Sequence, residues 1–146
     1  MIEVLLLAQV AATLVMVGVI WFVQIVHYPL MDRVPAAEFA AFEHAHQNRT
    51  SIVVGPTMLV EAFTAAVLLA VPVPGTDVTI AVAGISLLAV IWLSTMLIQV
   101  PLHSRLEKGF DARTHRRLVI SNWIRTIAWT ARGVLVLVML NWSSTS

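Results

Sequence analysis

Four apolar runs divide this chain, at roughly residues 4–26, 51–71, 78–100 and 118–140. Each is long enough to cross a hydrocarbon core, which takes about 20 residues of α-helix. Inside lipid every backbone N–H and C=O must be satisfied within the segment, so runs of this kind fold as helices. The fold class expected is all-α: a polytopic membrane protein with four transmembrane helices in a bundle, forming one domain over residues 1–146. Charge supports this. Asp, Glu, Lys and Arg make up 12% of the residues, about half the ~25% usual in soluble domains. That level excludes a disordered chain, a nucleic-acid binder and an ordinary soluble enzyme. The absence of cysteine excludes disulfides, thiolate metal sites, iron–sulfur clusters and a cysteine nucleophile.

The first run opens Met1-Ile2-Glu3 without a basic region and is followed by no small-residue cleavage site, so it reads as a retained helix rather than a signal peptide. A Pro- and Gly-rich turn, residues 71–77, joins the second and third runs. The other connections, about residues 27–50 and 101–117, hold most of the charge. Arg33, Arg49, Arg105, Lys108, Arg113, Arg116, Arg117 and Arg125 lie in or beside them, and only Arg132 lies towards the opposite side. The positive-inside rule then places both long connections in the cytoplasm and both termini outside, as in a bacterial inner membrane. Pro35 suits a first helical position. The second helix is therefore expected to start near Ala36, bend at Pro56 and run to Leu69, with Phe39, Ala40 and Phe42 as an amphipathic strip at the membrane interface.

The two halves resemble each other. Pro29-Leu30-Met31-Asp32-Arg33-Val34 and Pro101-Leu102-His103-Ser104-Arg105-Leu106 share P-L-x-x-R-aliphatic at an offset of 72, and Arg49-Thr50 matches Arg125-Thr126 at 76. This pattern predicts a parallel repeat of two helical hairpins.

Charged side chains at mid-span cost at least about 2.5–3.5 kcal/mol on insertion scales, so those present mark buried positions. Glu61 lies about 15 Å into the second run, and Arg125 and Arg132 about 10 and 21 Å into the fourth. Asn122, Arg125, Trp129 and Arg132 share one narrow helical face, and either arginine is a candidate partner for Glu61. Gln24 with His27, His46 with Arg49, and Gln99 with His103 are further polar pairs at helical spacing, one pair on each remaining helix. The expectation is a single polar cavity in the cytoplasmic half. His27, His46, His103 and Glu61 are its candidate catalytic groups, and Gln24, Arg49, Gln99, Asn122 and Arg125 would bind substrate. Histidine suits acid–base work near neutral pH, and arginine suits an oxyanion. His27, His46, His103 and Glu61 are also candidate metal ligands, and Glu43-His-Ala-His46 offers one Glu-x-x-His element, though without the second copy of a di-iron bundle. The cofactor is thus either none or a metal ion. His44 and His115 are expected at the membrane surface, outside the cavity. No phosphate-binding glycine loop, zinc-protease motif or nucleophile elbow occurs.

Residues 99–125 resemble the anthrone oxygenase-like family of small four-helix membrane proteins. The resemblance rests on Gln99-Val-Pro101-Leu102-His103-Ser-Arg105-Leu106 and Asn122-Trp-Ile-Arg125, where the family pattern has N-x-P-L-N-x-x-L and N-x-x-R; Gln99 and His103 depart from it. It implies an oxidoreductase or oxygenase acting on a lipophilic aromatic or quinone-like molecule. Two other classes stay open: a small-molecule carrier or metal-binding membrane protein, and a structural subunit of a membrane complex. The partners expected are membrane lipid and a lipophilic small molecule, with no nucleic acid; a homo-oligomer is an open alternative.

Overall fold

The computed structural model describes residues 1–71 and 73–145; Pro72, within the expected turn, and Ser146 lie outside them. Four helices account for nearly all of the described chain: α1 Ile2–Met31, α2 Ala36–Ala70, α3 Val78–Leu106 and α4 Ala112–Thr145. All four are long and apolar enough to span a membrane, and among the described residues there is no strand. The chain is an integral membrane four-helix bundle.

Sequence chemistry sets the helix ends. Asp77 caps α3 by accepting the Thr79 N–H at 2.7 Å, and Asp111 accepts the Thr114 N–H at 2.7 Å in the first turn of α4. These bonds hold both carboxyls below their usual pKa. Gly75 and Gly109, at φ 70° and 135°, turn the chain where a side chain would be strained. α2 passes through Pro56 without a break. Its first turns depart from the expected interfacial strip: Phe39 is fully buried and meets the Phe110 ring edge-on at a centroid separation of 4.9 Å. This start of α2 therefore caps the bundle end rather than lying on the membrane.

α1 packs against α2 and α4, and α3 packs against α4 and, more loosely, α2. α2 and α4 thus face each other diagonally and meet through long side chains. Large apolar residues on every helix, among them Leu14, Phe22, Phe63, Leu97, Ile127 and Val134, point outward. Polar residues such as Gln9, Thr13, Glu43, Glu61, Asn122 and Arg132 are buried. The arrangement is apolar outside and polar within, as a lipid solvent demands.

Two π-turns interrupt the bundle, Val23–His27 in α1 and Thr95–Gln99 in α3. Each closes with a bond over five residues, Tyr28 N–H to Val23 O and Val100 N–H to Thr95 O. A proline, Pro29 or Pro101, stands two residues beyond the end of each, and in a regular α-helix its ring would clash with the carbonyl four residues back. Widening that turn relieves the clash, and π-turns of this kind gather at functional sites. The two start 72 residues apart, residue 23 to residue 95, the same offset as the P-L-x-x-R repeat.

Candidate functional site

The buried polar residues fall into two levels separated by an apolar layer of Met16, Ile20, Met58, Ile91 and Ala128. The deeper level is built on Glu61. Its Oε1 accepts from Thr13 Oγ1 at 2.8 Å and Arg132 Nε at 3.2 Å, and its Oε2 accepts from Trp129 Nε1 at 3.0 Å. Arg132 Nη1 also donates to Gly84 O at 2.5 Å. A Cβ on Gly84 would sit 3.4 Å from Arg132 Nη1 and 3.3 Å from Leu135 Cδ2, so glycine makes room for this contact. Beside it, Thr64 Oγ1 donates to Gln9 Oε1. Glu61 thus pairs with Arg132, not Arg125, and both of its oxygens are satisfied.

The second level lies towards the long connections. It begins at Glu43, fully buried, whose Oε1 accepts from His103 Nδ1 at 2.5 Å. With its proton on Nδ1, His103 offers Nε2 as acceptor to the Tyr28 hydroxyl at 2.9 Å. Arg125 Nη2 reaches the same phenolic oxygen at 3.4 Å. Arg125 is held by Asn122 Oδ1, at 2.9 Å from Nε and 2.5 Å from Nη2, and by Thr95 Oγ1 at 3.4 Å. Asn122 in turn donates to Gln24 Oε1 at 2.8 Å, and Gln24 Nε2 donates to Val119 O at 3.2 Å. His115 Nε2 donates to Tyr28 O at 2.8 Å, satisfying one of the free carbonyls at the end of α1. A second pair stands alongside. His27 Nε2 lies 2.8 Å from His46 Nδ1, their rings stacked 4.4 Å apart, and Thr50 Oγ1 lies 3.2 Å from the same His46 atom.

Six of these residues, Tyr28, His46, Thr50, Thr95, His103 and Arg125, line a cavity of about 350 Å³. Tyr28, His46, Gln99, His103 and Arg125 supply its polar end, and Met16, Ile20, Val54, Met58, Trp92 and Trp129 its apolar body. Three features of the wall are incomplete. Arg125 is buried, yet among the described residues it has no acidic partner. Gln99 Nε2 donates to Ser121 Oγ at 3.0 Å, while its buried Oε1 has no partner. Trp92 Nε1 is a buried donor without one. An unmet polar atom costs about 1–3 kcal/mol and a buried unpaired charge more. A bound molecule with an anionic or carbonyl oxygen and a hydroxyl would satisfy all three.

Of the residues expected to meet in one cavity, His46, Gln99, His103 and Arg125 line it; Gln24, His27 and Asn122 stand behind that wall, joined to it by hydrogen bonds, and two residues lie elsewhere. Glu61 belongs to the deeper level, linked to the cavity only through Trp129. Arg49 is exposed, because the inward stripe of α2 runs through Glu43, Gln47, Thr50, Val54, Met58 and Glu61 and Arg49 falls about 120° away from it. His44 is exposed and pairs with Glu107 at 3.1 Å, as a surface residue would. His115, expected beside it at the surface, is instead buried against Tyr28.

Glu43, Tyr28 and Thr95 are additions to the sequence-based set. Glu43 was legible: it precedes Glu61 by 18 residues, five helical turns, and so faces the same way. No group of three or more His, Asp or Glu among the described residues is arranged to hold a metal ion. His46 and His103 lie close, but both ring nitrogens of His103 are engaged by Glu43 and Tyr28, Nδ1 of His46 is engaged by His27 and Thr50, and Glu61 is elsewhere. The donor set does not fit a metal centre. Comparison with family models, with curated proteins and with solved structures finds no match to this chain.

Proposed function

We propose that this protein is a membrane enzyme of oxidoreductase type acting on a lipophilic hydroxyaromatic or quinone-like molecule held in the cavity. The observation that carries the reading is Arg125, a buried guanidinium on the cavity wall with no carboxylate among the described residues to neutralise it. Substrate oxygen would sit between Arg125 and the Tyr28 hydroxyl, with its rings against Trp92 and Trp129. Glu43 fixes the tautomer of His103, His103 accepts from Tyr28, and the chain Tyr28–His103–Glu43 takes a proton from the substrate while Arg125 holds the resulting oxyanion. Electrons lost from that oxyanion pass to an oxidant such as dioxygen. A carrier is the second reading, favoured by the equal offset of the π-turns and the P-L-x-x-R motif; net uptake into vesicles without turnover would select it.

The cavity opens towards lipid at the loosely packed α2–α3 seam, where Leu59 and Val100 on its wall are exposed. Gly55 lines that opening, and a Cβ there would meet nothing within 4 Å. Gly55→Phe should fill the cavity without disturbing the bundle. Menadione, a lipophilic naphthoquinone, should quench Trp92 and Trp129 saturably in the native protein. In Gly55→Phe the midpoint should rise at least about tenfold, the loss of ~1.4 kcal/mol. Non-saturating quenching, unaltered by the substitution, would remove the cavity from the account.

The setting proposed is a bacterial inner membrane with the long connections in the cytoplasm. A reporter inserted at Thr76 or fused after Ser146 should score outside, and one at Lys108 inside. A cytoplasmic C-terminus would reverse the orientation.

A further inference from the structure

We propose that the outer surface of the bundle carries a site for an anionic glycerophospholipid in the groove between α3 and α4. This groove is separate from the inner cavity and independent of its function. It encloses about 630 Å³, its sides are Leu97, Ile98, Ile120 and Ile124, and Arg105 and Arg117 stand at one end. From residue 97 to residue 105 the groove runs about 12 Å along the helix, the length of a good part of an acyl chain. The two arginines lie across the α3–α4 connection from each other, both exposed and neither in an ion pair among the described residues.

The acids that would otherwise neutralise them are engaged. Glu107 faces His44 at 3.1 Å, and Asp111 caps α4 by accepting from Thr114 N–H. The equivalent arginine of the first half is different: Arg33 lies 3.6 Å from Asp32. Among the described residues, the second half therefore combines two unpaired guanidinium groups with an apolar channel at helix-end depth, where phospholipid phosphates lie. Guanidinium groups suit phosphate oxygens through paired N–H donors, and basic pockets between transmembrane helices are known to take anionic headgroups. The phosphate would sit between Arg105 and Arg117 and one acyl chain along Leu97 and Ile124.

Native mass spectrometry of the whole protein in neutral detergent, with equal amounts of phosphatidylglycerol and phosphatidylcholine, tests this. The native protein should retain phosphatidylglycerol at least about tenfold better, since a basic residue near a headgroup contributes roughly fivefold. Arg105→Gln with Arg117→Gln should bring the two lipids to parity. Arg113→Gln with Arg116→Gln, which removes equal charge outside the groove, should keep the preference. Equal retention by the native protein would overturn the proposal, as would a preference that survives loss of Arg105 and Arg117 or falls equally in the control. Displacement by soluble glycerol phosphate at the lipid's own concentration would also overturn it, because the acyl groove would then contribute nothing.

Discussion

Arg132→Met should destabilise the bundle by about 3–5 kcal/mol, the usual cost of breaking a buried ion pair. The substitution leaves Glu61 ionised at the bundle centre with only Thr13 and Trp129 to solvate it. Adding Glu61→Gln should recover much of the loss: the amide oxygen still accepts from Trp129 or Thr13, and no charge remains uncompensated. Unfolding followed in mixed micelles gives these values directly. Menadione binding in either variant that folds should match the native protein, because neither Glu61 nor Arg132 lines the cavity. A double variant as unstable as the sum of its parts would mean that the pair is not coupled.

Arg125→Gln should behave in the opposite way. No carboxylate is orphaned when this guanidinium is removed, so stability should change by less than about 1 kcal/mol, a buried unpaired charge being a cost to the free protein. Binding of an anionic ligand should fall at least about thirtyfold, since loss of one member of a buried charged hydrogen-bonded contact costs about 2–5 kcal/mol. Two arginines seven residues apart on one helix face would then have separate roles, one holding the bundle together and one facing the ligand. Equal destabilisation by both substitutions would assign Arg125 to the structure alone.

The four spans, their approximate ends and the inward face of α4 could be read from residue order, because lipid gives polar side chains one direction to point. The same rule over-gathered them. Depth alone placed Glu61 near both arginines, and only side-chain geometry separates Arg132 from Arg125. His115 was misplaced although it precedes Asn122 by seven residues and therefore continues the Asn122–Arg125–Trp129–Arg132 stripe. Its position near a run of basic residues suggested the surface, whereas the bundle extends past the membrane-length span. Tyr28 was hidden by the π-turns. A five-residue turn inserts one residue and shifts the helical phase by up to about 100°, so spacing counted at 3.6 across Val23–His27 does not report which residue faces inward. Glu43 could be found by its phase with Glu61, but the first turns of α2 read as an amphipathic strip at the membrane interface, where a carboxylate needs no buried partner.

On the proposed function, Arg125 and the Tyr28–His103–Glu43 chain stabilise an oxyanion in the cavity. An alkylated nitrophenol reports this, because its phenolate absorbs at longer wavelength than its phenol. Titrated with the protein in neutral detergent, the bound probe should ionise at least about one pH unit lower than in detergent alone, a differential stabilisation of ~1.4 kcal/mol. That shift should vanish in Arg125→Gln and shrink in Tyr28→Phe. A bound probe that ionises at the detergent value, or whose shift persists unchanged in Arg125→Gln, would contradict it.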